Sequence, residues 1–227
     1  MRLKALNNSC SDLKNKRDDQ ASRNSYAKRY TEIKTKGKKG VSKLIMWNMV
    51  TLDGYFEGAK KWDLDFHNIV WGDELDQFSI EQLKQCNALV FGRVTYEGMA
   101  AYWTTAQSEP GEVADFMNKI PKIVFSRTLD KADWNNTRVV KDNIEEEIAA
   151  LKKSKKDSYI FGSADLSATL MKLGLIDEYR ICVVPIILGG GTPLFKPNPE
   201  QLKLQLLSTQ VLKNGGVILR YAFNGIN

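Results

Sequence analysis

From Lys43 onward, short apolar runs alternate with segments of helical period, and this alternation constrains the fold more than any other feature of the chain. Leu44–Val50 (LIMWNMV) is almost unbroken in its apolarity, as a strand is when layers cover both of its faces. Ala88–Phe91 (ALVF), Lys122–Ser126 (KIVFS) and Ser158–Phe161 (SYIF) repeat the pattern in shorter form. Between them, Leu75, Phe78, Leu83 and Cys86 fall at rough helical spacing. Val113, Phe116, Met117 and Ile120 form one face of a second helix, which Pro121 ends. A helix over 143–153 is predicted with Asn143 as its cap, Glu146 as the capping-box partner, and acidic and basic clusters that complement its dipole. A helix over 164–173 carries Leu166, Leu170 and Leu173 on one face and closes at Gly174. The chain then changes character. Glu178–Val184, Leu202–Val211 and Val217–Phe223 read as strands, the last two joined through Leu212-Lys213-Asn214-Gly215-Gly216, a hairpin signal. The pattern predicts an α/β fold: a mainly parallel central sheet, helices on both faces and an antiparallel C-terminal hairpin.

Residues 1–40 differ from the rest. They hold 12 of the 33 Lys/Arg and 4 of the 27 Asp/Glu, a net of +8, while residues 41–227 carry 21 basic and 23 acidic side chains, a net of −2, so all of the chain's basic excess of +6 lies in the first segment. Apolar residues in the segment are too sparse to offset its ordering entropy. We expect a basic, disordered extension followed by one domain over 41–227. A nucleic-acid or anionic-membrane arm is the rival reading of the extension; so is a true start at Val41, since a valine codon can initiate. No run approaches the roughly 20 apolar residues of a membrane span. Cys10, Cys86 and Cys182 are dispersed, which predicts reduced thiols and a cytoplasmic protein. His67 is the only histidine. No paired Cys/His spacing accompanies it, so no metal site is expected and His67 reads as structural.

Chemistry in such sheets gathers beyond the carboxyl ends of the strands. The first strand runs into Thr51-Leu52-Asp53-Gly54, which is either a plain Asp-Gly turn or a carboxylate at the strand mouth. The second ends in Phe91-Gly92-Arg93-Val94-Thr95-Tyr96-Glu97, pairing a guanidinium and a hydroxyl with a helix start. Ser126-Arg127-Thr128 repeats that chemistry, suited to a ribose 2′-phosphate. Phe161-Gly162-Ser163-Ala164-Asp165 is a glycine turn feeding a helix, a generic phosphate cradle in which Ser163 could equally be an ordinary cap. The full dinucleotide fingerprint G-x-G-x-x-G is absent. Gly189-Gly190-Gly191 marks a ligand loop or a sharp bend.

In this order, Thr-Leu-Asp-Gly, Phe-Gly-Arg-x-Thr-Tyr-Glu, Phe-Ser-Arg, Phe-Gly-Ser-Ala-x-Leu, Leu-Ile-Asp-Glu-Tyr-Arg and Pro-Ile-Ile-Leu-Gly-Gly-Gly, the chain over about 43–224 resembles the reductase domain of the riboflavin deaminase–reductase family and, more distantly, dihydrofolate reductase. The resemblance implies a dihydrofolate-reductase-like fold and an NADPH site. Gly92, Arg93 and Thr95 would hold cofactor phosphates, Ser126 and Arg127 the 2′-phosphate side, and Gly162, Ser163 and Ala164 the pyrophosphate. Thr51, Asp53 and Gly54 would lie near the nicotinamide and substrate. Family members often carry Gly-Gly where this chain has Gly162-Ser163. The proton-donating carboxylate maps to Asp76, with Asp73 one turn away and Asp53 as the other candidate. The implied reaction is hydride transfer to a small pteridine- or pyrimidine-like substrate, of the 5-amino-6-(5-phosphoribosylamino)uracil reductase type, in a homodimer. The zinc motif of the deaminase half is absent. A non-catalytic NADPH-binding or sensor protein on the same fold is the alternative.

Overall fold

A computed structural model describes residues 42–105, 110–197 and 201–223. The expected basic extension and its rival readings lie outside these residues. In chain order the elements are β1 (Leu44–Thr51), β2 (Tyr55–Glu57), α1 (Asp73–Lys84), β3 (Cys86–Gly92), α2 (Arg93–Trp103), α3 (Glu112–Lys119), β4 (Lys122–Phe125), β5 (Thr137–Val140), α4 (Ile144–Leu151), β6 (Asp157–Phe161), α5 (Ala164–Lys172), β7 (Glu178–Val184), β8 (Thr192–Pro193), β9 (Leu204–Val211) and β10 (Val217–Phe223). A 3-10 turn, Asp65–Ile69, precedes α1.

Eight strands form one sheet in the order β5-β4-β3-β6-β1-β7-β10-β9. Neighbours from β5 to β7 pair in parallel. β10 runs against both β7 and β9. The expected α/β fold is therefore present, with β1 near its centre. β2 and β8 form a separate two-stranded ladder.

Side-chain alternation sorts the core into two layers. Ile45, Trp47, Leu89, Phe91, Val124 and Cys182 pack with Leu75 and Leu83 of α1, Tyr96 of α2 and Met117 of α3. The intervening strand residues, Leu44, Met46, Val90 and Ile160, are equally buried and face the layer of α4 and α5, which contributes Ile148, Leu166 and Leu170. This double cover explains why β1 is apolar at nearly every position.

Two buried charges hold the amino-terminal edge of the sheet. Glu178 is fully buried and bound by Lys43, Arg180 and Arg220. Burial would raise its pKa, but those hydrogen bonds win and hold it at about 2. The Lys122 ammonium donates to the carbonyls of Asn118, Ile120 and Asn135 and lies 4.4 Å from the Trp134 ring centre.

One local expectation needs correction. Asn143 stands at the cap position of α4 but adopts φ 57° and ψ 42°, in the left-handed region, and its side chain makes no cap bond. The capping box therefore does not close. Gly174 does end α5 as expected, with φ 63°.

Candidate functional site

Because β4, β3, β6, β1 and β7 are parallel neighbours, their carboxyl ends fall along one rim. Ser126, Gly92, Gly162 and Thr51 stand on that rim in strand order. Strands are spaced about 4.8 Å apart, so β4 to β1 spans roughly 14 Å. Residues that are scattered through the chain are therefore brought together as the motifs required.

The middle of the rim is stitched across two loops. The Gly92 N–H donates to the Ser163 hydroxyl at 3.0 Å, and the Ser163 N–H donates to the Thr95 hydroxyl at 3.1 Å. Ser163 is thus no helix cap: its oxygen is spent on another loop, 71 positions away. Gly162 and Ser163 sit in successive left-handed conformations, φ 63° and 58°, a conformation that costs serine more than glycine. A Cβ on Gly162 would approach Thr95 Cγ2 to 3.1 Å. Neither α2 nor α5 has a side-chain cap bond. Two sets of free helical N–H groups and two positive dipole ends therefore meet at β3 and β6, which is an anion-binding arrangement.

Fixed charges flank it. Arg93, the first residue of α2, forms an ion pair with Glu97 at 3.0 Å one turn on. Arg127 is highly exposed, 4.0 Å from Asp142. The Ser126 hydroxyl accepts from the N–H groups of Thr128 and Leu129 and shapes the turn that presents Arg127. Sequence reasoning passed over Lys196, which pairs with Asp165 in the first turn of α5. No motif marks that pairing, since the partners meet only through the β8 loop.

At the β1–β7 end, Asp53 is a latch. Its carboxylate accepts from the Thr51 hydroxyl at 2.6 Å, the Gly189 N–H at 2.8 Å and the Leu188 N–H at 3.3 Å. The Thr51 bond, with help from the two N–H groups, lowers its pKa and keeps it ionised. Gly54 takes φ 88° and its carbonyl accepts from Leu194. Gly191 packs so tightly that a Cβ would lie 2.3 Å from the Glu57 carbonyl. Of the triple glycine, Gly191 is thus a close backbone approach beside the β2–β8 pairing. Asp76 lies in the first turn of α1, partly buried; among the described residues its carboxylate has no recorded hydrogen bond or ion pair. Asp73, beside it, is exposed. His67 is packed edge-on against Phe66 at 4.6 Å, and burial lowers its pKa to about 4.

An open α/β sheet with this rim and an antiparallel finish defines the dihydrofolate-reductase-like class. The chain belongs to the RibD C-terminal domain family, whose pattern it matches over residues 42–218. It is 32% identical to the uncharacterized protein YyaP of Bacillus subtilis (strain 168) over 187 residues, which is 81% of this chain and 96% of that one. Its fold is shared with RibD of Acinetobacter baumannii at a TM-score of 0.60 and 18% identity, covering 81% of this chain and 58% of that one. It is shared also with dihydrofolate reductase from Enterococcus faecalis complexed with NADP(H) and RAB-propyl, at a TM-score of 0.55 and 18% identity, covering 82% and 98%.

Proposed function

We propose that this chain is an NADPH-dependent reductase that transfers hydride to a small pteridine- or pyrimidine-like molecule. The observation that carries the reading is the meeting of two uncapped helix N-termini, of α2 and α5, on the rim that continues to Thr51. That donor set fits a dinucleotide: free N–H groups for a pyrophosphate, Gly92 and Gly162 to let it approach the backbone, and the Arg93 and Arg127 guanidiniums for further phosphate charge. Lys196 is a third cation within the same region. Bound NADPH would supply two electrons and a hydrogen to the carbon of a C=N or C=O bond, the heteroatom taking one proton as NADP+ leaves.

The residues divide this work. Thr95 and Ser163 hold the two phosphate loops in register. Asp53 fixes the loops around the reacting end, and Asp76, in the first turn of α1, is the carboxylate we assign to proton donation. Buried Cys86 and Cys182 are unpaired, with thiol pKa values pushed by burial to about 12, consistent with a reducing cytoplasm.

A second copy completes the assembly. Leu206 and Tyr221 form one cross-strand pair, and Val211, Val217 and Val183 a row, at the β9 edge of the sheet. Leu206 is 52% and Val211 72% exposed, and β9 carries no charge. An uncharged apolar edge strand invites pairing, and the basic residues 1–40 would find no opposite charge on β9. Light scattering should report a dimer, and Leu206→Lys with Val211→Glu should give monomers.

NADPH titration tests the main reading. A hydrogen bond to a charged group contributes about 1.5–3 kcal/mol, so Arg127→Ala and Arg93→Ala should each weaken NADPH binding roughly tenfold or more. Arg127→Ala should leave NADH binding unchanged. Unaltered NADPH affinity in both variants would overturn the assignment; binding without turnover across an acceptor screen would favour the sensor alternative.

A further inference from the structure

We infer that Asn214 is a site of spontaneous modification. Attack by the next backbone nitrogen converts its side-chain amide to an acid, the folded 212–216 hairpin restrains that reaction, and the product unfastens the hairpin from the turn that leads into α1. Among the described residues, Asn214 is the asparagine that precedes a glycine. Glycine matters here because no side chain shields its nitrogen. The turn cannot dispense with it, since Gly215 sits at φ 90°, in the left-handed region that favours glycine. Asn214 is itself exposed, so water reaches it.

In the reaction the Gly215 nitrogen gives up its proton and bonds to Asn214 Cγ. The Cγ–Nδ2 bond breaks, that proton leaves with Nδ2 as ammonia, and a cyclic imide closes. Water then adds to either imide carbonyl and opens the ring to aspartate or isoaspartate. No electron is transferred and no reagent beyond water is consumed. In the folded protein the reacting groups are engaged elsewhere. The Gly215 N–H donates to Leu212 O at 2.9 Å, which retains the proton that must go. Asn214 Nδ2 donates to Val70 O at 2.7 Å, which holds the leaving group. The Gly216 N–H donates to Asn214 Oδ1 at 3.3 Å and polarises the carbonyl, the one contact that favours attack. The two shorter bonds oppose it, so conversion waits for local opening of the hairpin tip.

The same contacts fasten the hairpin to the turn before α1. Val70 is fully buried, and Gly216 abuts it so closely that a Cβ would stand 2.8 Å from Val70 Cγ1. The Lys213 N–H donates to the Glu74 carboxylate at 2.7 Å. After conversion, the donor that faced Val70 O is a carboxylate oxygen, and two acceptors then oppose each other without a hydrogen between them. The new negative charge stands one residue from the Lys213–Glu74 contact, and Asp73 and Glu74 already crowd the first turn of α1. Isoaspartate also lengthens the main chain by one methylene, at a tip where Gly216 is already packed against Val70. Both products therefore release the hairpin. The change is irreversible, so each molecule keeps a record that its hairpin has opened.

The test follows the Asn214 peptide by mass spectrometry in full-length protein, kept folded or unfolded in urea at one mildly alkaline pH. Asn224-Gly225, the chain's other such pair, calibrates the intrinsic rate in the unfolded sample. Asn214 should convert there at a rate similar to Asn224, and at least tenfold more slowly in folded protein. Glu74→Ala frees the Lys213 N–H and leaves the reacting groups untouched; it should speed conversion in folded protein and leave the unfolded rate alone. Asn214→Asp should lower the urea midpoint and speed hydrogen exchange of the Val70 and Trp71 amides, which donate to His67 O. Absence of conversion at Asn214 in unfolded protein overturns the site. Equal rates in folded and unfolded protein, or no acceleration by Glu74→Ala, overturn the restraint. A wild-type midpoint and exchange pattern in Asn214→Asp overturn the unfastening.

Discussion

Gly98 offers a test in which two well-understood effects predict opposite signs. It lies inside α2, where glycine is normally a defect: replacing it with alanine should stabilise the helix by about 1 kcal/mol. Here, however, the Trp62 indole occupies the space a side chain would need. A Cβ on Gly98 would stand 1.8 Å from Trp62 Cζ2 and 2.1 Å from Cε2. Trp62 is pinned from behind, in the left-handed region at φ 64° with its N–H donated to Glu57 at 2.5 Å, so the ring cannot slide away freely. A tryptophan can bury on the order of 200 Å². Trp62 is only partly buried, so about half of that is at stake, some 2–3 kcal/mol at roughly 25 cal/mol per Å². Gly98→Ala should therefore destabilise the protein by about 1–2 kcal/mol net, shifting the urea midpoint down by roughly 0.5–1 M. In a Trp62→Ala background the same change should regain its ordinary sign and stabilise by about 1 kcal/mol, a coupling a double-mutant cycle reads directly. If Gly98→Ala alone raises the midpoint, the strap over α2 is not seated on that glycine and the reasoning fails.

Three further perturbations follow from the bonding. Glu178→Gln leaves Lys43, Arg180 and Arg220 without their anion and should cost about 3–5 kcal/mol; because the folded pKa of Glu178 is lowered to about 2 from 4.5, the wild-type advantage should be complete above pH 4.5 and shrink as pH falls toward 2 in acid denaturation. Lys122→Met strands three carbonyls and should cost about 3 kcal/mol in chemical denaturation. Burial lowers the folded pKa of Lys122 to about 8 from 10.5, so wild-type stability should gain a contribution as pH rises from 8 to 10.5, absent in the variant. Thr95→Val removes the acceptor for the Ser163 N–H and should cost about 1–3 kcal/mol while weakening NADPH binding, measured by titration; unchanged affinity would mean the stitched loops do not shape the phosphate end.

The parts of the fold that could be read in sequence are those whose cause is local. β1 announces itself because both faces are buried, and β7 is bounded at Glu178 and Val184 as expected, its second half, Ile181-Cys182-Val183-Val184, being an unbroken apolar run that Pro185 ends. The β9–β10 hairpin is written in Asn214-Gly215-Gly216, with Gly215 at φ 90°. β5 was not anticipated: Thr137–Val140 is a four-residue edge strand in which only Val140 is buried, so it carries no periodic signal. The β2–β8 ladder is likewise unreadable, being two residues of Thr192–Pro193 placed by the bend at Gly191. Lys122 opens a run that reads as a strand, yet nothing local distinguishes a buried ammonium from an exposed one.

The site divides the same way, and the division says what kind of information a motif holds. Glycines and hydroxyls at strand ends mark where a loop turns and a helix begins, and parallel pairing alone then sets Ser126, Gly92, Gly162 and Thr51 in a row. What each group does once there is decided by partners far away in the chain. Ser163 looks like a cap and binds Gly92; Asp53 looks like a proton donor and is tied to the Gly189 loop, 136 positions on. Both polar groups are consumed in holding loops together, so on this rim the N–H groups of the two helix starts are what the side chains leave unspent. A rim whose polar side chains mostly bind one another is preformed, and a preformed rim would lose little entropy on taking up the dinucleotide proposed for it.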